Sequence, residues 1–321
     1  MSAPEVVACM IVGGRREIFL APVLESLAGS VDRLVVNVNG DCPANLEVLA
    51  ESRLGRQGRV EVLRSAFHDF ASARNLCLEA VGPETGRPRW VMFVDADDMH
   101  TPGLQVLTRG LLGALPEDVG LLDVYMLELM QSFRRYVGLY RAARKLCRWV
   151  PGLRWSRSVH EKLQGSRGSR WTLPYVFLHL GYVKPPEEIL GKWTQYASLG
   201  DPSYSLADLQ AASPQGLFDL QARASHPLRG RLPEVLARWL AEEGLGRADY
   251  IQRCEALPLG PQEPWPRLRH RLAEVGAAGR VAWRTLPTWL RLLARPRALA
   301  ALYRLVVESW RLVGPVRRGE D

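Results

Sequence analysis

The first half of the chain alternates two hydrophobic patterns. Residues 6–12 form a compact apolar run that reads as a buried strand. Residues 16–28 carry Ile18, Phe19, Val23, Leu24 and Leu27 at helical spacing, with Pro22 tolerated near the start. A second strand is expected at 34–38, closed by the turn signal Asn39-Gly40-Asp41. A third follows at 60–63. Leu76, Cys77, Ala80 and Val81 stripe a helix over 72–81, and 90–94 is a fourth apolar strand. Thr101 then reads as an N-cap with Pro102 at the first helical position, ahead of Leu104, Leu107, Leu111 and Leu112. Further strands are expected at 121–130, 136–142 and 175–180.

Strand and helix in alternation predict an α/β fold, with a parallel sheet covered by helices on both faces. Ligands in such folds bind beyond the carboxyl ends of the strands. After about residue 200 helical stripes dominate, broken by Pro202, Pro214, Pro227, Pro233 and a proline-rich stretch at 257–266. The expected organisation is an α/β unit over 1–199 and a helical extension over 200–321.

Composition narrows the class. With 321 residues, 47% hydrophobic and 24% charged, the chain can bury a normal core without staples, which excludes a disordered chain. The five cysteines (Cys9, Cys42, Cys77, Cys147, Cys254) are odd in number and include no CxxC pair. That excludes a secreted disulfide scaffold and fits a reducing compartment. No apolar run reaches the roughly 18 residues needed to span a bilayer, and no signal peptide is visible. A cytoplasmic protein is expected.

The net charge of +8 is uneven: residues 271–321 hold ten arginines against four acids. Only four of the 42 basic residues are lysines, at 145, 162, 184 and 192. The tail from 281 to 313 interleaves Trp283, Trp289, Leu302, Leu305 and Trp310 with arginines. Such a helix suits an anionic membrane surface, which would make the protein peripheral on the inner face. It equally suits a helix packed on the α/β unit with its arginines in solvent. No nucleic-acid-binding motif is visible, so nucleic acid is not an expected partner.

The sharpest chemical feature is Phe93-Val94-Asp95-Ala96-Asp97-Asp98. Three carboxylates at the end of a buried strand repel one another, and a divalent cation would offset them. Hard carboxylate oxygens suit Mg²⁺ or Mn²⁺. If strand geometry persists, Asp95 and Asp97 point the same way. One can then touch the metal or a ribose while the other holds the metal. A helix N-terminus lined with acids is the plainer explanation of Asp98.

At this point the ordered set of segments resembles the family 2 glycosyltransferases of the GT-A fold. The opening Met10-Ile11-Val12, with the helix ending Leu24-Glu25-Ser26-Leu27, is similar to theirs. So are His68-Asp69-Phe70-Ala71-Ser72-Ala73-Arg74-Asn75 and the Asp-x-Asp of Asp95 and Asp97. Arg154 with Val159-His160-Glu161-Lys162-Leu163 resembles a further family segment, and residues 175–182, containing His179, resemble its closing histidine motif.

The resemblance implies a Rossmann-like nucleotide-diphospho-sugar transferase sheet and a metal-dependent inverting transfer from a nucleotide-diphosphate sugar to an acceptor hydroxyl. The acceptor would be a saccharide, a lipid-linked saccharide or a protein, as in cell-surface polysaccharide or glycolipid synthesis. It implies Asp95, Asp97 and His179 around Mn²⁺ or Mg²⁺, with Asp95 also on the nucleotide. Glu161 becomes the general base and His160 a group orienting it or the acceptor. Arg74 and Asn75 would approach the nucleotide at a helix start favourable to diphosphate. The basic residues from Arg134 to Arg157 would neutralise the departing diphosphate.

Two segments depart from the family. Gly13-Gly14-Arg15-Arg16 follows the first strand, and Asn37-Val38-Asn39-Gly40-Asp41 lacks the leading aspartate expected to contact the base. Asn39, or Asp41 two residues on, would have to serve there. The alternatives are a nucleotidyltransferase of similar fold and a non-catalytic membrane-associated binding protein.

Overall fold

The computed structural model describes residues 3–83, 88–203, 205–211, 213, 225–228, 230–242, 292 and 295–313. The strands are β1 (Glu5–Val12), β2 (Arg33–Asn39), β3 (Val60–Ser65), β4 (Arg89–Asp95), β5 (Asp98–Met99), β6 (Val119–Met130), β7 (Arg135–Arg148), β8 (Arg154–Ser156), β9 (Lys162–Gln164), β10 (Ser169–Tyr182) and β11 (His226–Pro227). The α-helices are α1 (Leu20–Leu27), α2 (Pro43–Glu51), α3 (Arg53–Arg56), α4 (Phe70–Val81), α5 (Gly103–Gln105), α6 (Pro186–Ser198), α7 (Leu206–Ala211), α8 (Glu234–Glu242) and α9 (Pro296–Val313). A π-helical segment, Val106–Leu111, continues α5.

The main sheet runs β3-β2-β1-β4-β7-β6-β10-β5, with β11 on β7. The first four strands are parallel, as expected. The sheet as a whole is mixed. β6 and β7 form an antiparallel hairpin, and β7 wedges antiparallel between β4 and β6. A short loop can join antiparallel neighbours but cannot return a chain for parallel pairing. The four residues 131–134 therefore impose the reversal.

Period-two alternation sorts β1 onto two cores. Val6, Ala8, Met10 and Val12 pack with α1, the π-helical segment and α9. Val7 and Cys9 pack with Cys77, Leu78 and Val81 of α4 and with Leu153 and Leu163. Helices cover both faces. Thr101, expected as an N-cap, instead gives its hydroxyl to the Val176 carbonyl (3.2 Å), where the β6–β10 register shifts between Thr172 and Val176.

Two helices of the C-terminal extension, α8 and α9, join the first core, while Leu209 of α7 packs with Ile189 and Trp193 of α6. Leu236 and Trp239 of α8, and Ala298, Leu302, Leu305 and Leu312 of α9, are buried in it. Burying each leucine contributes about 1.5–3 kcal/mol relative to leaving it exposed. Over 296–313 the apolar face of the tail is therefore taken up by the protein, the second of the two expected arrangements. Tyr303 and Trp310 stand on the outer side with Arg297, Arg304 and Arg311. Trp283 and Trp289 lie outside the described residues. Among the described residues no helix is long and apolar enough to cross a membrane.

Candidate functional site

In sheet order β1 lies between β2 and β4, so the chain leaves β1 in opposite directions and a crevice opens at their carboxyl ends. Ile11 stands opposite Asp95 there. β4 ends at Asp95, Ala96 and Asp97 make a tight turn, and Asp98 enters β5 opposite His179 of β10. Strand alternation therefore does not persist through 95–97, and the two aspartates meet different partners. Asp95 accepts from Arg74 Nη2 (2.7 Å) and lies 3.4 Å from Lys145 Nζ. Asp97 lies 3.5 Å from His179 Nδ1 and 3.6 Å from Lys184 Nζ.

Asp98 is the buried hub. It accepts from Lys145 Nζ (2.5 Å), from the Asp95 amide (3.0 Å) and from His179 Nδ1 (2.9 Å). A buried carboxylate on Nδ1 fixes the imidazole tautomer and turns Nε2 outward, the usual support of a metal-binding histidine. Gly181 completes the arrangement. A Cβ at that position would lie 2.5 Å from His179 Nε2 and 3.0 Å from Asp97 Oδ2. The missing side chain thus keeps a gap bordered by one nitrogen and one oxygen donor. Ligand atoms of Asp97, Asp98 and His179 lie within 4.8 Å of one another. The donor set fits Mn²⁺ or Mg²⁺, with Asp97 and His179 Nε2 facing the gap and Asp98 orienting the ring. Asp95, also expected as a ligand, lies outside this group and is held by two cations.

Glu161 arrives on the loop between β8 and β9, which pair antiparallel. Arg74 Nε donates to Glu161 Oε1 at 2.9 Å, so one guanidinium ties Glu161 to Asp95. The loop is anchored on both sides. Asn75 donates to the Trp155 carbonyl (3.0 Å) and accepts from the Trp155 amide (2.7 Å), and the Phe70 amide donates to the Ser158 carbonyl. His160 Nε2 pairs with Asp201 (2.9 Å), away from Glu161. Arg157 and His160 both take left-handed backbone conformations (φ 75° and 50°), which side-chain-bearing residues rarely adopt.

Several expected nucleotide contacts are otherwise engaged. Asn75 spends both ends of its amide on the β8 main chain. The start of α4 is capped by Asp69, which accepts from the Ser72 amide (2.7 Å), so a carboxylate already sits where a diphosphate was expected. Asn39 donates to Ser65 Oγ (2.9 Å), which donates to Asn37 (3.0 Å). Asp41 is exposed in the following loop. Of the basic stretch, Lys145 reaches the carboxylates. Arg141 pairs with Asp123, Arg148 lies over the Trp90 ring, and Arg135 holds Ser225.

The motifs also missed Glu17, Lys184 and Lys192. Lys184 Nζ bridges Glu17 (3.3 Å) and Asp97, while Lys192 Nζ lies 5.2 Å from the Tyr182 ring centroid and 5.9 Å from that of Tyr196. A signal was present: three of the four lysines in an arginine-rich chain converge on this one cleft.

These charges set the local acidities. Burial alone would raise Asp97, but His179, Lys184 and Lys192 outweigh it and hold the carboxyl at about 2. Burial opposes the charged form of His179, yet Asp97 and Asp98 push its pKa above the ordinary value. Glu17 is raised, chiefly by burial and further by Asp97, with Lys184 opposing.

A separate surface cavity of about 880 Å³ lies behind α4, lined chiefly by Leu78, Pro83, Val150, Pro151 and Leu153. Asn75 lines it as well, but none of the clustered carboxylates does.

No family model matches the chain, and no curated protein sequence matches it. Among solved structures the chain is similar to a 4-diphosphocytidyl-2C-methyl-D-erythritol synthase, at 15% identity over 45% of this chain and 75% of that one, with a TM-score of 0.29. A likeness of that size leaves the functional reading to the geometry of the cleft.

Proposed function

We propose that the chain is a metal-dependent inverting glycosyltransferase of the GT-A kind, moving a sugar from a nucleotide-diphosphate sugar to an acceptor hydroxyl. One observation carries the reading: Arg74 forks between Glu161 and Asp95, at 2.9 and 2.7 Å. It joins the base expected from one segment to the acidic strand end expected from another.

Asp97 and His179 would hold Mn²⁺ or Mg²⁺, which when bound supplies positive charge for the donor diphosphate. Arg74 fixes Glu161 through Oε1, so its other oxygen is the one to take the acceptor proton. The acceptor oxygen bonds to the sugar C1 as the C1–O bond to phosphate breaks, and the electron pair leaves with the diphosphate. A single displacement inverts the anomeric centre. Lys145, Lys184 and Lys192 place ammonium charge around the leaving group. The acceptor class proposed is a saccharide, free or lipid-linked, or a protein.

A panel of sugar nucleotides with Mn²⁺ tests this, with free nucleoside diphosphate as the readout. Glu161→Gln should lower kcat by about 10²–10⁴-fold while leaving donor affinity near that of the parent. Full turnover by that variant, or release of pyrophosphate in place of nucleoside diphosphate, would remove the reading.

A further inference from the structure

The carboxylates of the cleft (Glu17, Asp95, Asp97, Asp98, Glu161) are met by cations built into the chain: Arg74, Lys145 and Lys184, with Lys192 beside them. A divalent ion entering such a site adds charge to one already close to balanced. Something must move, and the contacts differ in how firmly they are made.

Lys145 is fixed, at 2.5 Å from an Asp98 side chain with no exposure. Lys184 is looser. It lies 3.3 Å from Glu17 Oε2 and 3.6 Å from Asp97 Oδ2. That Asp97 oxygen is also the one bordering the gap under Gly181. An ammonium and a divalent ion would therefore compete for the same atom.

The main chain at Lys184 has little freedom. It follows the Val183 amide bond to Leu180 and precedes Pro185 and Pro186 at the start of α6. A lysine's four-carbon stem is flexible, so the ammonium can shift while the main chain stays put. Glu17 is itself placed by its amide, which donates to Asn45 (2.9 Å).

We propose that Lys184 is a resident counter-ion that holds Asp97 until the metal and donor arrive, then yields that oxygen and transfers its charge to the donor diphosphate. This rests on Asp97 and His179 as the metal-facing pair. It accounts for Glu17, a half-buried acid with no place in the transfer chemistry: Glu17 is an anchor that keeps hold of Lys184 when Asp97 is released.

The test is Mn²⁺ binding, followed by electron paramagnetic resonance, to the parent, Lys184→Met, Glu17→Gln and the double variant, with near-ultraviolet circular dichroism to confirm folding. Lys184→Met should bind Mn²⁺ alone several-fold more tightly. Glu17→Gln should bind it more weakly, because Lys184 is then left on Asp97. In the double variant the Glu17 effect should vanish, a non-additivity expected of groups acting on one another. At saturating Mn²⁺, Lys184→Met should bind inorganic pyrophosphate about tenfold more weakly.

Unchanged or weaker Mn²⁺ binding by Lys184→Met would overturn the exchange and leave the metal centre standing. So would additive effects, or equal tightening by Lys192→Met, which would mark a general field. Absence of Mn²⁺ binding in all the proteins would remove the metal centre and the exchange together.

Discussion

His100 is buried, with Nδ1 2.8 Å from the Tyr175 hydroxyl and, among the described residues, no hydrogen-bond partner for Nε2. Burial is the main reason its pKa falls to about 3, far below the ordinary histidine value. The unfolded chain takes up this proton at about pH 6.5 and the folded chain only near 3. Stability from His100 is therefore present above pH 6.5 and lost as pH falls toward 3, by about 1.4 kcal/mol per unit. His100→Phe should flatten that part of a urea-midpoint profile measured between pH 7 and 4. Asp97 acts in a different window. Its folded value of about 2 lies below the ordinary carboxylate value, so its contribution persists above about pH 4 and disappears only as pH drops through 2. His179 works in the opposite sense: its raised pKa gives stability that is complete below about pH 6.5 and lost as pH rises through the folded value.

The β8–β9 hairpin has two strands of three residues and would be marginal alone. It is held by the Asn75 amide and by Trp155, whose ring meets Phe93 edge-on at 4.7 Å. Asn75→Ala would leave the Trp155 amide and carbonyl unpaired, at about 1–3 kcal/mol. Hydrogen exchange should then quicken over residues 154–164, and under the proposed mechanism kcat should fall as Glu161 loses its placement. The elements themselves were legible: apolar runs gave β1, β2 and β4 within a residue or two, because parallel central strands are buried on both faces. The order of the sheet was not. β7 reads as an ordinary strand, and its insertion beside β4 depends on pairing between residues more than fifty apart in sequence. The candidate site divides along the same line. Asp95, Asp97, Glu161 and His179 lie in recognisable segments, whereas Glu17 and Lys184 acquire meaning only when the turn before α6 meets the loop after β1. Asn75 stood in a recognisable segment too, but its amide serves the hairpin.

Helices α8 and α9 share the core of the sheet, so they belong to its stability. Leu305 has no exposure and packs within that core. Leu305→Ala should cost about 2–5 kcal/mol and lower the main unfolding transition of the sheet, not a separate one, as scanning calorimetry would show.

The uneven use of lysine has a practical outcome. Lys145 and Lys184 are about 15% exposed. Burial would favour their neutral forms, but the aspartates around them push their pKa values upward and keep the nitrogens protonated. Lys162 is exposed. Acylating reagents need an accessible amine, and Lys145, Lys184 and Lys192 are all partly buried, so among the lysines Lys162 is the one such a reagent reaches first. Among the lysines, a dye or surface linker would then attach chiefly at the start of β9, on the face that carries the β8–β9 hairpin.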